Sequence, residues 1–437
     1  MKNLTCVLIS LSVLLSLNYP AFAGLSETEE RITQIIDQRD PAAREFLRQV
    51  VGINSGSMNF PGVRQVGDLF DKSFTDLGLK TRWVDGATFN RAGHLIAEHQ
   101  AAKLGSPHLL MIGHLDTVFE SDSGFQQFVS LDNDQAGGPG ITDMKGGNVI
   151  IVEAIAALAE LNLLDHMSIT VVLIGDEESS GRPLSIGRAA LLKAAEAADI
   201  ALAFENGDGD PATAVIARRG YSGWKLEVEG KPAHSSVVFK KDVGAGSIYE
   251  TARILNAFYN NLVGEQYLTF NPGVILGGTT VNYDAGNTRG DAFGKPNVIA
   301  ETTVVTGDLR TITIKQREKA KSRMRKIVSA SLPHTQARIT FTDGYPPLAP
   351  TQGNKDLLNQ YSQVSIDLGQ GEVTANDPGS AGAADVSFTA GLVDMAIDGL
   401  GMSGSGAHTV REVADMGSLA RQTKRAAILM LRLSSSD

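Results

Sequence analysis

Three short apolar runs, at residues 109–113, 169–174 and 200–204, each break abruptly into polar residues. Continuous Val/Ile/Leu runs bounded by turn residues predict strands buried on both faces. The first runs into His114-Leu115-Asp116-Thr117, the second into Asp176-Glu177-Glu178 and the third into Glu205. In open α/β sheets ligands gather outside the carboxyl ends of such strands, so all three deliver their polar residues to one rim. Between the first two lies Gly138-Pro139-Gly140-Ile141-Thr142-Asp143-Met144-Lys145-Gly146-Gly147, followed by an apolar helical stretch over 148–164.

The pattern changes near Arg218. Up to that point strands alternate with helical segments, as in a parallel sheet. Beyond it, 223–230 alternates as a half-exposed strand. A helix within 244–260, strands within 268–283 and 298–309, a charged helix over 314–331 and a last strand over 337–343 follow. That βαββαβ order predicts a small antiparallel sheet covered on one side by two helices. Tyr345-Pro346-Pro347 and Pro350 then mark a return to the first unit. The expected division is 24–217 with 345–437 as one domain and 218–344 as an insertion.

Composition fits a large soluble enzyme: 437 residues, 42% hydrophobic and 20% charged, are more than one core usually organises. Residues 1–23 read as a secretory signal, with Lys2, an apolar run and Ala21-Phe22-Ala23 before Gly24. A secreted or periplasmic location follows. Cleavage there removes Cys6, the single cysteine, and Lys2, leaving 38 basic against 49 acidic residues, a net charge of 38 − 49 = −11. Nucleic acid is excluded as a partner on this balance. The most apolar remaining helical stretch carries Glu153 and Glu160 and is short for a bilayer, so no membrane span is expected in the mature chain.

The rim residues carry the chemistry. Gly401-Met402-Ser403-Gly404-Ser405-Gly406-Ala407-His408-Thr409 adds a second histidine on a glycine-rich loop. Two histidines and three or more carboxylates form a mixed N/O set suited to zinc, cobalt or manganese, and to metal-assisted hydrolysis. His94, His99, His108, His166 and His334 have no such company and take no site role. Gly401-Met402-Ser403-Gly404-Ser405 lacks the final glycine of a serine-hydrolase elbow. Gly138-x-Gly140 is followed by Asp143 where a dinucleotide fingerprint needs glycine.

The succession H-x-D-T, G-x-G-x-x-D-M-K-G-G, D-E-E, a lone Glu and G-x-x-H resembles the M20 metallopeptidases. That family includes glutamate carboxypeptidases, acetylornithine and succinyl-diaminopimelate deacylases, and aminoacylases. The resemblance implies an α/β fold of the dinuclear-metal aminopeptidase type, a mixed and mostly parallel sheet with helices on both faces, and an inserted α+β lid that dimerises. It implies two zinc ions, with cobalt or manganese as substitutes. His114, Asp143 and Glu205 would hold one; Asp143, Glu178 and His408 would hold the other, so that Asp143 bridges. The peptide after Asp143 would be cis. Asp116 would accept the second ring N–H of His114, and Glu177 would be the general base toward a water shared by the metals.

In the insertion, Gly230-Lys231-Pro232-Ala233-His234-Ser235 resembles the family turn whose histidine reaches a partner subunit's active site and steadies the oxyanion. Arg310 resembles the D-x-R arginine that grips the substrate carboxylate, and Asn297 matches a substrate-side turn in which Ala300 replaces the usual proline. Glu205 stands where several dipeptide-cleaving branches have aspartate. Glu412 keeps the glutamate downstream of the histidine, and Val413 replaces an aromatic. The implied activity is cleavage of the amide to a C-terminal amino acid, glutamate foremost, from a small peptide or N-acyl amino acid by a homodimer. The alternatives are an N-acyl amino acid deacylase, which shares every ligand, and a non-catalytic metal-containing peptide-binding protein, for which Glu177 has no use.

Overall fold

The computed structural model describes residues 24–102, 105–286 and 288–435; the secretory signal expected at 1–23 lies outside the described residues. The main sheet has six strands, in the order Lys80–Asp85, Gly93–His99, Ser168–Ile174, His108–His114, Ile200–Ala203 and Met395–Ile397. Gly93–His99 pairs antiparallel with both neighbours, and the last four strands run parallel to one another. The sheet is therefore mixed and mostly parallel, as expected.

Alternation along the central strands sorts side chains into two cores. Leu109, Met111, Ile169, Val171, Leu173 and Leu202 face a core shared with the helices Glu27–Val51, Gly146–Glu160 and Gly417–Ser434. Leu110, Ile112, Val172, Ile174, Ala201 and Ala203 face another, with Leu191 and Ala195 of the helix Ala189–Glu196. Both faces of these strands are dry, which is why their sequences are continuously apolar. His114 stands opposite Ile174 and Ile112 opposite Ala203, so three strands end nearly level.

The helix predicted over 148–164 runs instead from Gly146 to Glu160. Asn162 takes a left-handed backbone with φ 55°, which turns the chain out of the helix before the apolar pattern stops. Among the described residues, no helix is long and apolar enough to cross a membrane.

A second, antiparallel sheet orders its strands Thr269–Gly278, Thr302–Thr311, Gly220–Gly230, Thr335–Asp343. Trp224, Leu226, Val228, Val305 and Leu309 on its inner face pack on Ile254, Phe258 and Leu262 of the helix Ser247–Leu262 and on Met324 and Val328 of the helix Ile314–Val328. The βαββαβ order holds with one addition: Thr280–Asp284 and Arg289–Phe293 pair as a hairpin between the second and third strands. The strand expected within 268–283 therefore divides in two at Thr279.

His94 is buried at the edge of the rim. Gly175 N–H donates to its Nδ1 at 3.1 Å, so the ring proton sits on Nε2, 2.7 Å from the Gly187 carbonyl. Burial, reinforced by the positive charge of Arg188, holds its pKa down at about 4. An unfolded histidine titrates near about 6.5 and so binds more protons than the folded one between the two values. Stability therefore falls as pH drops through this window, by roughly 3 kcal/mol for this group. His94→Gln is expected to flatten the slope of the urea midpoint against pH between about 4 and 6.5; an unchanged slope would refute the assignment.

Candidate metal centre

The rim gathers the predicted residues. His114 ends its strand and lies 3.1 Å from Asp143 Oδ1 and 3.5 Å from Glu205. His408 lies 3.0 Å from Asp143 Oδ2 and 3.1 Å from Glu178. The two oxygens of Asp143 thus face different histidines, which is the arrangement a bridging carboxylate needs. His114, Asp143 and Glu178 each place a ligand atom within 4.8 Å of the others.

Local sequence explains how each side chain arrives. Asp143 sits in an irregular turn between Gly140, whose φ is 73°, and the helix that starts at Gly146; the Asp143–Met144 peptide is cis. That turn is held by Glu412, whose carboxylate accepts from Gly140 N–H, Thr142 N–H and Thr142 Oγ1, each at 2.9 Å, and from Asp143 N–H at 3.1 Å. The helix can begin so close to the strand ends because Gly147 has no Cβ; one would run into the Phe204 carbonyl. His408 adopts φ 63°, a left-handed region that histidine enters more often than most residues.

Asp116 sits against His114 as expected and has further contacts. His114 Nδ1 lies 3.0 Å from the backbone carbonyl of Asp116 and 3.4 Å from its carboxylate, so the carbonyl is the nearer acceptor. The carboxylate, besides facing that ring nitrogen, accepts from Glu177 N–H at 3.0 Å, Glu178 N–H at 3.1 Å and Ser57 Oγ. Asp116 thereby shapes the turn that presents both glutamates.

The electrostatics record an excess of buried negative charge. Burial raises the Glu205 carboxyl well above the usual range, and the charge of Asp143 adds to it. Burial, then the charge of Asp385, does the same to Glu177. Burial alone would depress the His114 imidazolium, yet Glu205, Asp116 and Asp143 together push it well above its ordinary value. Hydrogen bonds to Asp143 and Glu178 push His408 up to about 11. The buried carboxylates that cause these shifts, with Glu178 Oε1 buried and, among the described residues, unpartnered, have the donor set and the charge to take divalent cations in place of the histidine protons.

Two buried arginines, which the sequence reading did not single out, brace the rim. Arg188 is fully buried and bonds Asp176, Asp385 and the Tyr345 hydroxyl. Arg218 pairs with Asp398 at 2.7 Å, and Asp398 accepts from Glu205 N–H at 3.2 Å. Asp385, Tyr345 and Asp398 lie more than 150 residues from their arginines, so spacing carries no signal of these pairs.

The remaining predicted residues lie on the second sheet and its loops. His234 is exposed; Ser236 N–H donates to its Nδ1 at 3.2 Å, and Ser235 N–H donates to the Asn297 carbonyl at 2.9 Å. Arg310 gives its Nε to Asp308 at 2.9 Å and lies over the Tyr221 ring. Among the described residues, none of the three makes a recorded contact with the cluster within one chain.

A family model described as peptidase family M20/M25/M40 matches residues 110–432. The chain belongs to this family. Its M20 fold and cluster are those of a metallopeptidase or related amidohydrolase. Carboxypeptidase G2 of Pseudomonas sp. (strain RS-16) is 23% identical over 435 residues, spanning 97% of both chains. Among solved structures, aminopeptidase PepT of Bacillus cereus aligns with a TM-score of 0.71 at 20% identity, covering 92% of this chain and 99% of that one. The YXEP protein of Bacillus subtilis, titled a dinuclear metal binding peptidase from the M20 family, aligns with a TM-score of 0.64 at 14% identity, over 92% and 99% of the two chains.

If Glu412 holds the turn that delivers Asp143, Glu412→Gln should weaken affinity for divalent cations about 10- to 100-fold, as for other groups that orient ligands. Competition against a chromophoric chelator measures this, and unchanged affinity would remove Glu412 from the account.

Proposed function

We propose that the protein is a two-metal amidohydrolase that releases a C-terminal amino acid, glutamate foremost, from a small peptide or N-acyl amino acid. The observation that carries this reading is the placement of Glu177. Its neighbour Glu178 reaches His408, its own N–H is fixed by Asp116, and among the described residues its carboxylate takes no hydrogen bond. A carboxylate held beside a ligand cluster but not consumed by it is placed to move a proton.

On this reading His114, Asp143 and Glu205 hold one cation, and Asp143, Glu178 and His408 the other, with zinc, cobalt or manganese suiting the donors. When bound, such ions supply Lewis acidity toward the scissile carbonyl and lower the pKa of a water to about 7. Glu177 accepts the proton of the attacking water and returns it to the departing amine nitrogen. The glutamate preference is supported by the likeness to carboxypeptidase G2 along nearly the whole chain and by Arg310. The Asp308 contact uses only the Nε of Arg310, and its two Nη groups have no recorded partner among the described residues, so they are open to a bidentate carboxylate.

His234 belongs to the same reading through a second copy of the chain. With Nδ1 accepting from Ser236, the ring proton of the neutral side chain lies on Nε2, where it can donate to a developing oxyanion. Thr269–Gly278 is an edge strand, and Ile275 on it and Ile248, Tyr249 and Tyr259 on the nearby helix are exposed, which suits an interface between lids.

Amine release by metal-loaded protein across N-acyl-glutamates, other N-acyl amino acids and plain dipeptides tests the substrate. Release should be fastest from glutamate, and Glu177→Ala should lower kcat by about a thousandfold with metal content unchanged. Preference for small acyl groups on other amino acids would make the protein a deacylase. No release with two metals bound would make it a binding protein. Mixing His234→Ala chains with Glu177→Ala chains should restore activity, because one site of each mixed dimer regains both groups. No recovery despite proven subunit exchange would place the whole site within one chain.

A further inference from the structure

The two crossings between the sheets run side by side. Arg218 and Leu348 exchange both backbone hydrogen bonds at 3.0 Å, Tyr221 N–H donates to the Tyr345 carbonyl at 2.9 Å, and Gly344 N–H donates to the Tyr221 carbonyl at 3.0 Å. One side chain leaves this ribbon for the back of the rim. The Tyr345 hydroxyl accepts from the buried Arg188 guanidinium at 2.7 Å and donates to the backbone carbonyl of Glu177 at 3.2 Å. Its ring is fixed by an edge contact with Phe388, at 5.0 Å between centroids, and by Arg188 over its face at 5.6 Å.

We propose that Tyr345 is a positioning residue for Glu177, and that through it the ribbon between the sheets sets the orientation of the Asp176-Glu177-Glu178 turn. The inference rests on the reading of Glu177 as the base. The turn is gripped at two places: Asp116 accepts the N–H groups of Glu177 and Glu178 from one side, and Tyr345 donates to the Glu177 carbonyl from the other. Arg188 makes the second grip firm. It is anchored to Asp176 and Asp385, and its positive charge polarises the hydroxyl that does the donating. Rotation of the Glu177 peptide unit is then restrained by a group that belongs to the crossing strand. A shift of the second sheet that moves this ribbon reaches the base through the Tyr345 hydroxyl, which lies 3.2 Å from the Glu177 carbonyl and 3.1 Å from Ser180 Oγ further along the same segment.

Tyr345→Phe removes the hydroxyl and keeps the ring packing. The proposal expects kcat to fall about tenfold, the effect of one hydrogen bond realised at the transition state, with KM within about twofold and metal content unaltered. Amide hydrogen exchange supplies a readout that needs no substrate. In metal-free and metal-loaded protein alike, segment 174–182 should exchange faster in Tyr345→Phe, while segment 108–114 stays as in the wild type. A kcat at the wild-type level, a rise in KM alone, loss of metal or unchanged exchange at 174–182 would each overturn the proposal. Should the wild type release no amine from any substrate, the functional reading falls, and the exchange result still decides whether Tyr345 holds the turn.

Discussion

The structure depends on a concentration of like charge where three strands end. Asp143, Glu178 and Glu205, with Asp116, Glu177 and Asp385 around them, occupy a rim largely closed to water. Carboxylates desolvated together repel each other strongly, and such an arrangement persists only if cations or hydrogen-bond donors answer it. The chain supplies part of the answer itself. Arg188 and Arg218 sit behind the rim, the amides of the 140–143 turn point at Glu412, and the amides of the 177–178 turn point at Asp116. What these groups leave uncompensated lies between His114 and His408, where the ligand atoms converge.

That division explains what could be read from the sequence. His114, Asp143, Glu177, Glu178, Glu205 and His408 were legible because each follows a buried strand or stands on a glycine-rich loop, and strand ends in a parallel sheet converge whatever the loops do. The two-core sheet was legible from continuous apolar runs. The bracing groups were not, since a buried arginine such as Arg188 shows its character only with its partners, and Asp385 is 197 residues away. The place of Asp116 beside His114 follows from the spacing, whereas the amides of the glutamate turn that its carboxylate also accepts from lie some sixty residues on and leave no local signal. The hairpin 280–293 was hidden because a single residue, Thr279, separates its first strand from the one before.

The second sheet has its own core and its own helices, and its chain joins the rest where Arg218 pairs with Leu348. His234, Asn297 and Arg310 all lie on it, away from the cluster, whereas everything that binds or braces the rim belongs to the first sheet, its loops or the crossing strands. The separation places the cluster of ligand-type side chains on the doubly covered sheet, and His234, Asn297 and Arg310 on the smaller one.

Because residues 218 and 348 are paired across the crossing, the inserted segment leaves and re-enters the first sheet at a single doorway. The first unit is therefore topologically closed on its own side of that doorway: its strand order, both of its cores and its ligand-bearing loops are complete without the segment. A change in the length of the insert made on the far side of that doorway, such as in the hairpin at 280–293, would leave the rim and both cores of the first unit as they are.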